Sequence, residues 1–313
     1  MRGHPMTHQA NRPSLWRILA KLLRVPDWAK NLFVFAPLLF SAHLHDGRAF
    51  WTTVLVALAL CALSSSVYIL NDMVDAPADR RHPTKRLRPI AAGYIGTPAA
   101  VVIAAGLVAL TYELLWTARV SATVLWLATA FLALNAAYSG YLKHKVIADV
   151  LAIATGYVLR VLIGGAAIGV PVTDWLLICT FLLAAFLGFS KRRHELIALG
   201  GQSEGHRPVL ELYSEKFLDG VSLLTLAITL TCYIIYTRSP ETVEKFGTNA
   251  LVYSSLIVMF ALFRYLFLIH IKRLGSPTEI LYRDRQIVLA IVTWLLYVIV
   301  VIYTWPAMRG LFQ

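Results

Sequence analysis

Charge is what this chain has least of. Only 15% of its 313 residues are Asp, Glu, Lys or Arg, and 58% are hydrophobic, against about 25% and about 45–50% in an average soluble domain. Mean hydropathy is +0.66. Runs of roughly 18 or more apolar residues mark membrane spans, and several follow one another, so a soluble domain with an ordinary polar surface is excluded. The three cysteines, Cys61, Cys179 and Cys232, all fall inside apolar runs. An odd number in that setting points to packing rather than disulfides or metal ligation. The histidines lack zinc-like spacing,. No cleavable signal peptide is expected, because residues 1–30 are polar and basic and the first apolar run leads into more of them,. Internal repeats, which mark many transporters, are missing,.

Apolar length predicts an all-α membrane bundle of nine spans, near 29–46, 50–70, 98–116, 120–140, 146–168, 174–190, 219–238, 249–270 and 286–306,. The first and sixth are short, which leaves tilted, broken or re-entrant forms open. Segments 1–30, 71–97, 141–145, 191–218 and 271–285 hold 6, 5, 2, 5 and 4 basic residues. The intervening segments hold only Arg48, Arg119, Arg238, Lys245 and Arg309. The basic side is expected in the cytoplasm, with the N-terminus inside and the C-terminus outside. This asymmetry accounts for most of the +12 net charge, so no nucleic-acid partner is needed. Residues 1–28 read as a basic amphipathic segment, with Trp16, Leu19, Leu22 and Leu23 toward lipid and Arg17, Lys21 and Arg24 toward headgroups,. Residues 29–313 read as a single catalytic domain.

The densest charge is NDMVDAPADRRHPTKRLRPI, residues 71–90, at the expected cytoplasmic end of the second span. Orientation explains its arginines and lysines but not its acids. On a helix Asn71, Asp72, Asp75 and Asp79 fall within a sector of about 100°, although Pro77 is expected to kink or restart the helix before Asp79. Clustered carboxylates need a cation, and oxygen-only ligands suit Mg2+, which combines one or two carboxylates with phosphates and waters. The adjoining cations suit the rest of a polyphosphate.

Asn71-xxx-Asp75-xxx-Asp79, followed by Arg88-Pro89-Ile90 and Gly93, resembles the first aspartate motif of the UbiA superfamily of intramembrane prenyltransferases. Lys143, Asp149 and Arg160 in KHKVIADVLAIATGYVLR resemble its middle segment. Ordinary members carry a second aspartate-rich motif after the sixth span, holding another Mg2+ on a prenyl diphosphate. Here that place reads GFSKRRHELIALG, with Lys191, Arg192, Arg193 and only Glu195. DWAKNLFVFAPLLFS (27–41) and SKRRHEL (190–196) are similar to a narrower branch, the decaprenyl-phosphate phosphoribosyltransferases. That resemblance implies transfer of 5-phosphoribosyl from phosphoribosyl pyrophosphate to decaprenyl phosphate, releasing pyrophosphate, in a bacterial plasma membrane that supplies arabinan cell-wall synthesis.

The acceptor in such a reaction is already an anion, which fits a sequence with no evident nucleophile–base pair. Asn71, Asp72, Asp75 and Asp79 are the expected Mg2+ site. Lys85, Arg86, Arg88, Lys191 and Arg192 are candidates for the donor, with Lys143, Asp149 and Glu195 alongside, and Lys30 for the lipid phosphate. Arg160, a charge deep in the fifth span, is expected to face the active site. Arg264 in the eighth reads as snorkelling or paired. Residues 195–219 read as either a lid or an ordinary polar loop, and a homo-oligomer is left open. The competing readings are an aromatic prenyltransferase, which wants carboxylates where Lys191–Glu195 stand, a transporter or channel, and a scaffold without catalysis.

Overall fold

One helix of 33 residues, α3 (Gly47–Asp79), sets the frame. At about 1.5 Å per residue it is roughly 50 Å long, well beyond the roughly 30 Å hydrocarbon layer of a bilayer. Its final turns therefore carry Asn71–Asp79 out to the membrane edge. The computed structural model describes residues 14–81, 84–198, 210, 212–271, 280 and 283–309, without the side chains of 305–309. The expected break at Pro77 does not occur: the helix runs unbroken through it to Asp79. Proline there removes a single hydrogen bond in the last turn, where the ladder is ending anyway.

Before α3 come α1 (Leu15–Leu22), a 3₁₀ segment (Val25–Phe35) and a short α2 (Ala36–Phe40). The expected first span is thus not one α-helix. Pro26 opens the 3₁₀ segment and Pro37 falls at the start of α2, so two backbone donors are missing,. At about 2.0 Å and 1.5 Å per residue the two pieces still rise about 30 Å. The bundle continues with α4 (Thr97–Thr117), α5 (Ala122–Gly140), α6 (Ala148–Ile168), α7 (Asp174–Ala198), α8 (Glu215–Arg238), α9 (Pro240–Phe246), α10 (Ser254–His270) and α11 (Arg285–Arg309). Eight helices are long and apolar enough to cross a membrane among the described residues, with Ala250–Tyr253 extending α10. These eight correspond to the second to ninth expected spans, and the broken segment stands at the first.

Neighbours in sequence pack in space: α3 on α4, α5 on α6, α6 on α7, α7 on α8 and α10 on α11. The C-terminal ends of α3, α5, α7 and α10 meet the N-terminal ends of α6, α8 and α11 at one end of the bundle. The charged segments lie there. Trp51, Trp116 and Trp126, all exposed, ring the other end, as expected of side chains at a bilayer interface. Leu22 departs from the expected lipid-facing role. It is fully buried and packs with Ile69, Ala76, Ile90, Ala100 and Ala104, with Leu23 alongside. Of the lipid-facing set, Trp16 is exposed. Residues 1–13 of the expected amphipathic segment lie outside the described residues.

Small residues let α6 approach the 3₁₀ segment. A methyl group on Gly164 would overlap the Val34 carbonyl, which is backbone and cannot turn aside,. Gly164→Ala should therefore lower stability by about 1–3 kcal/mol, read as a lower thermal midpoint in detergent. Gly106→Ala, which meets open space, should not.

Candidate active site

Ridge geometry on α3 divides the four acidic-motif residues. Asp72 and Asp79, seven positions apart, lie about 20° from each other around the helix, whereas Asn71 and Asp75 lie further round. Asp72 and Asp79 are nearly buried, 2% and 4% exposed. Both face Arg88: its Nη1 donates to Asp72 Oδ1 at 3.1 Å and to Asp79 Oδ2 at 2.7 Å. Arg24 Nη2 adds a second ion pair to Asp72 Oδ1, at 2.5 Å. Arg24 holds a left-handed backbone (φ 50°) where α1 turns into the 3₁₀ segment, which aims its side chain back at α3. Its guanidinium also lies 4.6 Å over the Tyr68 ring.

Asn71 and Asp75 take partners from a different wall. Ser139 Oγ of α5 donates to Asn71 Oδ1, and Lys143 Nζ donates to Asp75 Oδ1 at 3.0 Å. The four expected metal ligands thus form two pairs. Asp72 and Asp79 converge on one cation, and Asp75 and Asn71 flank it. Two carboxylate oxygens within 3.1 Å of one nitrogen are a donor set that Mg2+ can share after modest movement, with water and phosphate oxygens completing its shell. Among the described residues no cluster of three or more His, Cys, Asp or Glu side chains could hold a metal unaided, so this chain would need such oxygens. Arg88 and Arg24 stand where they could move to a phosphate. Lys85 and Arg86 lie beside them on a short 3₁₀ turn, Lys85–Leu87.

The other wall is a buried network at the end of α7. Arg192, only 2% exposed, donates from Nε to Asp149 Oδ2 at 2.6 Å, from Nη1 to Glu195 Oε2 at 2.5 Å and from Nη2 to the Tyr138 hydroxyl at 3.2 Å. Asp149, fully buried, sits in the first turn of α6, where the helix dipole favours an anion,. The Tyr213 hydroxyl donates to Asp149 Oδ1 at 2.9 Å and accepts from the Ile147 N–H at 2.6 Å. Burial pushes the Tyr213 hydroxyl well above its usual range, so it stays protonated as that donor. Ile147 has φ 68°, a strained value for a β-branched residue, and the Tyr213 contact helps hold it there. Lys191 lies on the exposed side, 3.9 Å from Glu195 Oε1. Arg193 turns away from the site to Asp219 and, at 2.9 Å, to Glu215. Arg264 pairs with Asp284 at 2.7 Å, a paired residue as expected.

Deeper in the bundle, Lys30 Nζ donates to Asp27 Oδ1 at 2.6 Å, and Arg160 Nε donates to Asn31 Oδ1 at 2.8 Å. The three-residue period of the 3₁₀ segment stacks Asp27 on Lys30. Arg24, Asp27, Asn31, Tyr68, Tyr138, Ser139 and Tyr213 therefore join residues expected from sequence. Local signals exist for Asp27 and Asn31, which fall in the quoted stretch 27–41, and for Tyr68, four residues before Asp72. Most of the expected lid, 199–209 and 211, lies outside the described residues.

Membrane-length helices thus bring carboxylates and cations together at one end of the bundle. Residues 32–281 match the UbiA prenyltransferase family, and the chain belongs to it. It is 30% identical over 287 residues to a decaprenyl-phosphate phosphoribosyltransferase of Mycolicibacterium smegmatis, covering 88% of this chain and 90% of that one. A protein of the same description from Corynebacterium glutamicum is 26% identical over 92% of this chain and 87% of that one. Among solved structures, a UbiA homolog from Archaeoglobus fulgidus bound to DMAPP and Mg2+ superposes with a TM-score of 0.69 at 18% identity, over 90% of this chain and 98% of that one. The expected family and fold class are both borne out.

Leaving Asp149 buried without its cation should cost about 3–5 kcal/mol. Arg192→Leu is expected to lower the thermal midpoint in detergent sharply, and Asp149→Asn combined with Arg192→Gln by at most half as much. Equal losses would mean the pair is not coupled.

Proposed function

We propose that this chain transfers a 5-phosphoribosyl group from phosphoribosyl pyrophosphate to decaprenyl phosphate, giving decaprenylphosphoryl-5-phosphoribose and pyrophosphate. The observation that carries this reading is at the end of α7. Where ordinary members of the family place a second pair of metal-binding carboxylates, this chain has Lys191, Arg192 and a single Glu195 whose carboxylate is held by Arg192 at 2.5 Å. Cations in place of a second carboxylate pair suit a donor with both a pyrophosphate and a 5-phosphate. The relatives named decaprenyl-phosphate phosphoribosyltransferase span most of the chain, and the product would feed arabinan cell-wall synthesis.

The residues suit the bond changes. An oxygen of the lipid phosphate forms the new bond to ribose C1 while the C1–O bond to pyrophosphate breaks, and pyrophosphate leaves with the electron pair. No proton moves, so no general base is required. Asp72 and Asp79, with Asp75 and Asn71, would hold Mg2+, which when bound neutralises charge on the leaving pyrophosphate. Arg88 and Arg24 then turn to phosphate oxygens, and Lys85, Arg86, Lys191 and Lys143 line the donor side. Arg192 and Asp149 fix that wall, and Lys30 meets the acceptor phosphate. By the bias of basic loops toward the cytoplasm, this end of the bundle would lie at the inner face of a bacterial plasma membrane, N-terminus inside and C-terminus outside, where a soluble donor arrives.

Purified full-length protein in detergent, given labelled phosphoribosyl pyrophosphate, decaprenyl phosphate and Mg2+, should move label into the organic phase. EDTA should abolish the transfer, and Asp79→Asn or Asp75→Ala should lower it by about 10²–10³-fold. No transfer by folded protein, with turnover of a prenyl diphosphate and an aromatic acid instead, would replace this reading by aromatic prenyl transfer.

A further inference from the structure

At the end of the bundle opposite the carboxylate centre, a cavity of about 60 Å³ opens between the end of α2, the start of α7, the end of α8 and α9. Phe40, Trp175, Tyr236 and Phe246 form aromatic walls, and Glu241 and Lys245 of α9 line it as well. Phe40 and Tyr236 meet edge to face, with centroids 6.0 Å apart. The sequence defines α9 sharply. Ser239 Oγ accepts from the Thr242 N–H at 3.3 Å, Pro240 opens the first turn, and Gly247 closes the helix at φ 66°. Thr242 and Phe246 are buried, Phe246 against Leu39 and Tyr236. Glu241 and Lys245, one turn apart, stay exposed along the cavity.

An i, i+4 spacing suits an ion pair between these two side chains. None forms: among the described residues neither Glu241 nor Lys245 has an ion pair or a side-chain hydrogen bond. Partial burial lowers the Lys245 ammonium below its usual range, and no acid offsets that shift. Its Nζ lies 5.6 Å from the Phe246 ring centre. One carboxylate and one ammonium are thus held side by side at an aromatic cavity, each without a partner. Ile178 of α7 and Ile235 of α8 are exposed. They lie within about one turn of Trp175 and Tyr236 in the direction of the membrane centre, so an apolar surface continues from the charged rim into the bilayer.

We propose that this cavity binds the headgroup of a zwitterionic phospholipid from the leaflet at that end of the bundle, with the lipid ammonium between the aromatic walls and Glu241 and the phosphate on Lys245. Aromatic faces and a carboxylate both attract an ammonium, and the phosphate oxygens accept from Nζ of Lys245. The two charges of such a headgroup stand two carbons apart, a separation that suits side chains whose Cβ atoms are about 5–6 Å apart on one helix face. An anionic lipid brings a phosphate for Lys245 but nothing for Glu241. A simple cation leaves Lys245 unpaired. The cavity takes the ammonium end, the phosphate stays at the rim, and the acyl chains lie over Ile178 and Ile235. A lipid held in this way joins α9 to the end of α2 and the start of α7, far from the residues assigned to transfer.

The test titrates full-length protein in detergent with phosphatidylethanolamine, phosphatidylglycerol and N-acetylated phosphatidylethanolamine of matched chains, reading the tightest site by native mass spectrometry. The wild-type protein should bind phosphatidylethanolamine about tenfold more tightly than the other two, the range expected for a contact between charged groups. Glu241→Gln should erase that preference, and Lys245→Met should weaken all three lipids. Neither variant should shift the thermal midpoint in lipid-free detergent, because neither side chain has a protein partner to lose. Equal wild-type affinity for the three lipids would overturn the assignment whatever the variants do. Tighter binding of phosphatidylglycerol, or an undiminished preference in Glu241→Gln, would overturn it too. Competition by chain-free glycerophosphoethanolamine at the same concentration as the lipid would show a site for a soluble zwitterion and remove the lipid from the assignment.

Discussion

Asp72 and Asp79 share one guanidinium nitrogen of Arg88, and the site depends on that shared pairing. Two nearly buried carboxylates so close together repel one another, and the cation between them offsets that repulsion. The length of α3 brings them to the membrane edge, Arg24 arrives from the turn after α1, and Arg88 arrives from the short loop that leads to α4. Three stretches of chain are therefore tied together by charge neutralisation in a place where water is scarce. On the proposed reading, a site held this way exchanges its ion pairs when substrate binds. A divalent cation and a polyphosphate bring both signs of charge and can replace both arginine contacts without leaving any group unpaired.

The same rule orders the rest of the bundle's interior. Arg192 and Asp149 neutralise one another out of water, and Tyr138, Tyr213 and Glu195 occupy their remaining hydrogen-bonding capacity. Such pairs contribute little net stability but make it costly to lose one member, so they fix geometry more than they stabilise. Here they anchor the N-terminal end of α6 against the C-terminal end of α7. Arg160 breaks the pattern, being held by an amide, a backbone carbonyl and two aromatic faces.

Much of this is legible in the sequence because it follows local period and apolar length. Eight long helices, the charged end of the bundle and the helical face carrying Asn71–Asp79 all follow from spacing alone. The division of that face does not. Asp72 and Asp79 lie on one stripe, but which stripe meets Arg88 and which meets Lys143 depends on where α5 and the 85–88 turn pack, a non-local matter. The segment 29–46 reads as a span because its apolar length outweighs Pro37 and the Pro26 just before it, and the chain instead adopts a 3₁₀ course that presents Lys30 and Asn31 inward. The alternation of apolar and basic residues along α1 and its end sends Leu22 to lipid and Arg24 to headgroups. Tertiary packing overrides that pattern, burying Leu22 against Ile69 and sending Arg24 to Asp72.

The most direct test of this account is an experimental structure of the protein with Mg2+ and pyrophosphate bound. The account predicts a metal held by Asp72 and Asp79, pyrophosphate oxygens on that metal, and Arg24 and Arg88 turned from carboxylate to phosphate. A metal held away from Asp72 and Asp79, with Arg88 still bridging them, would contradict it.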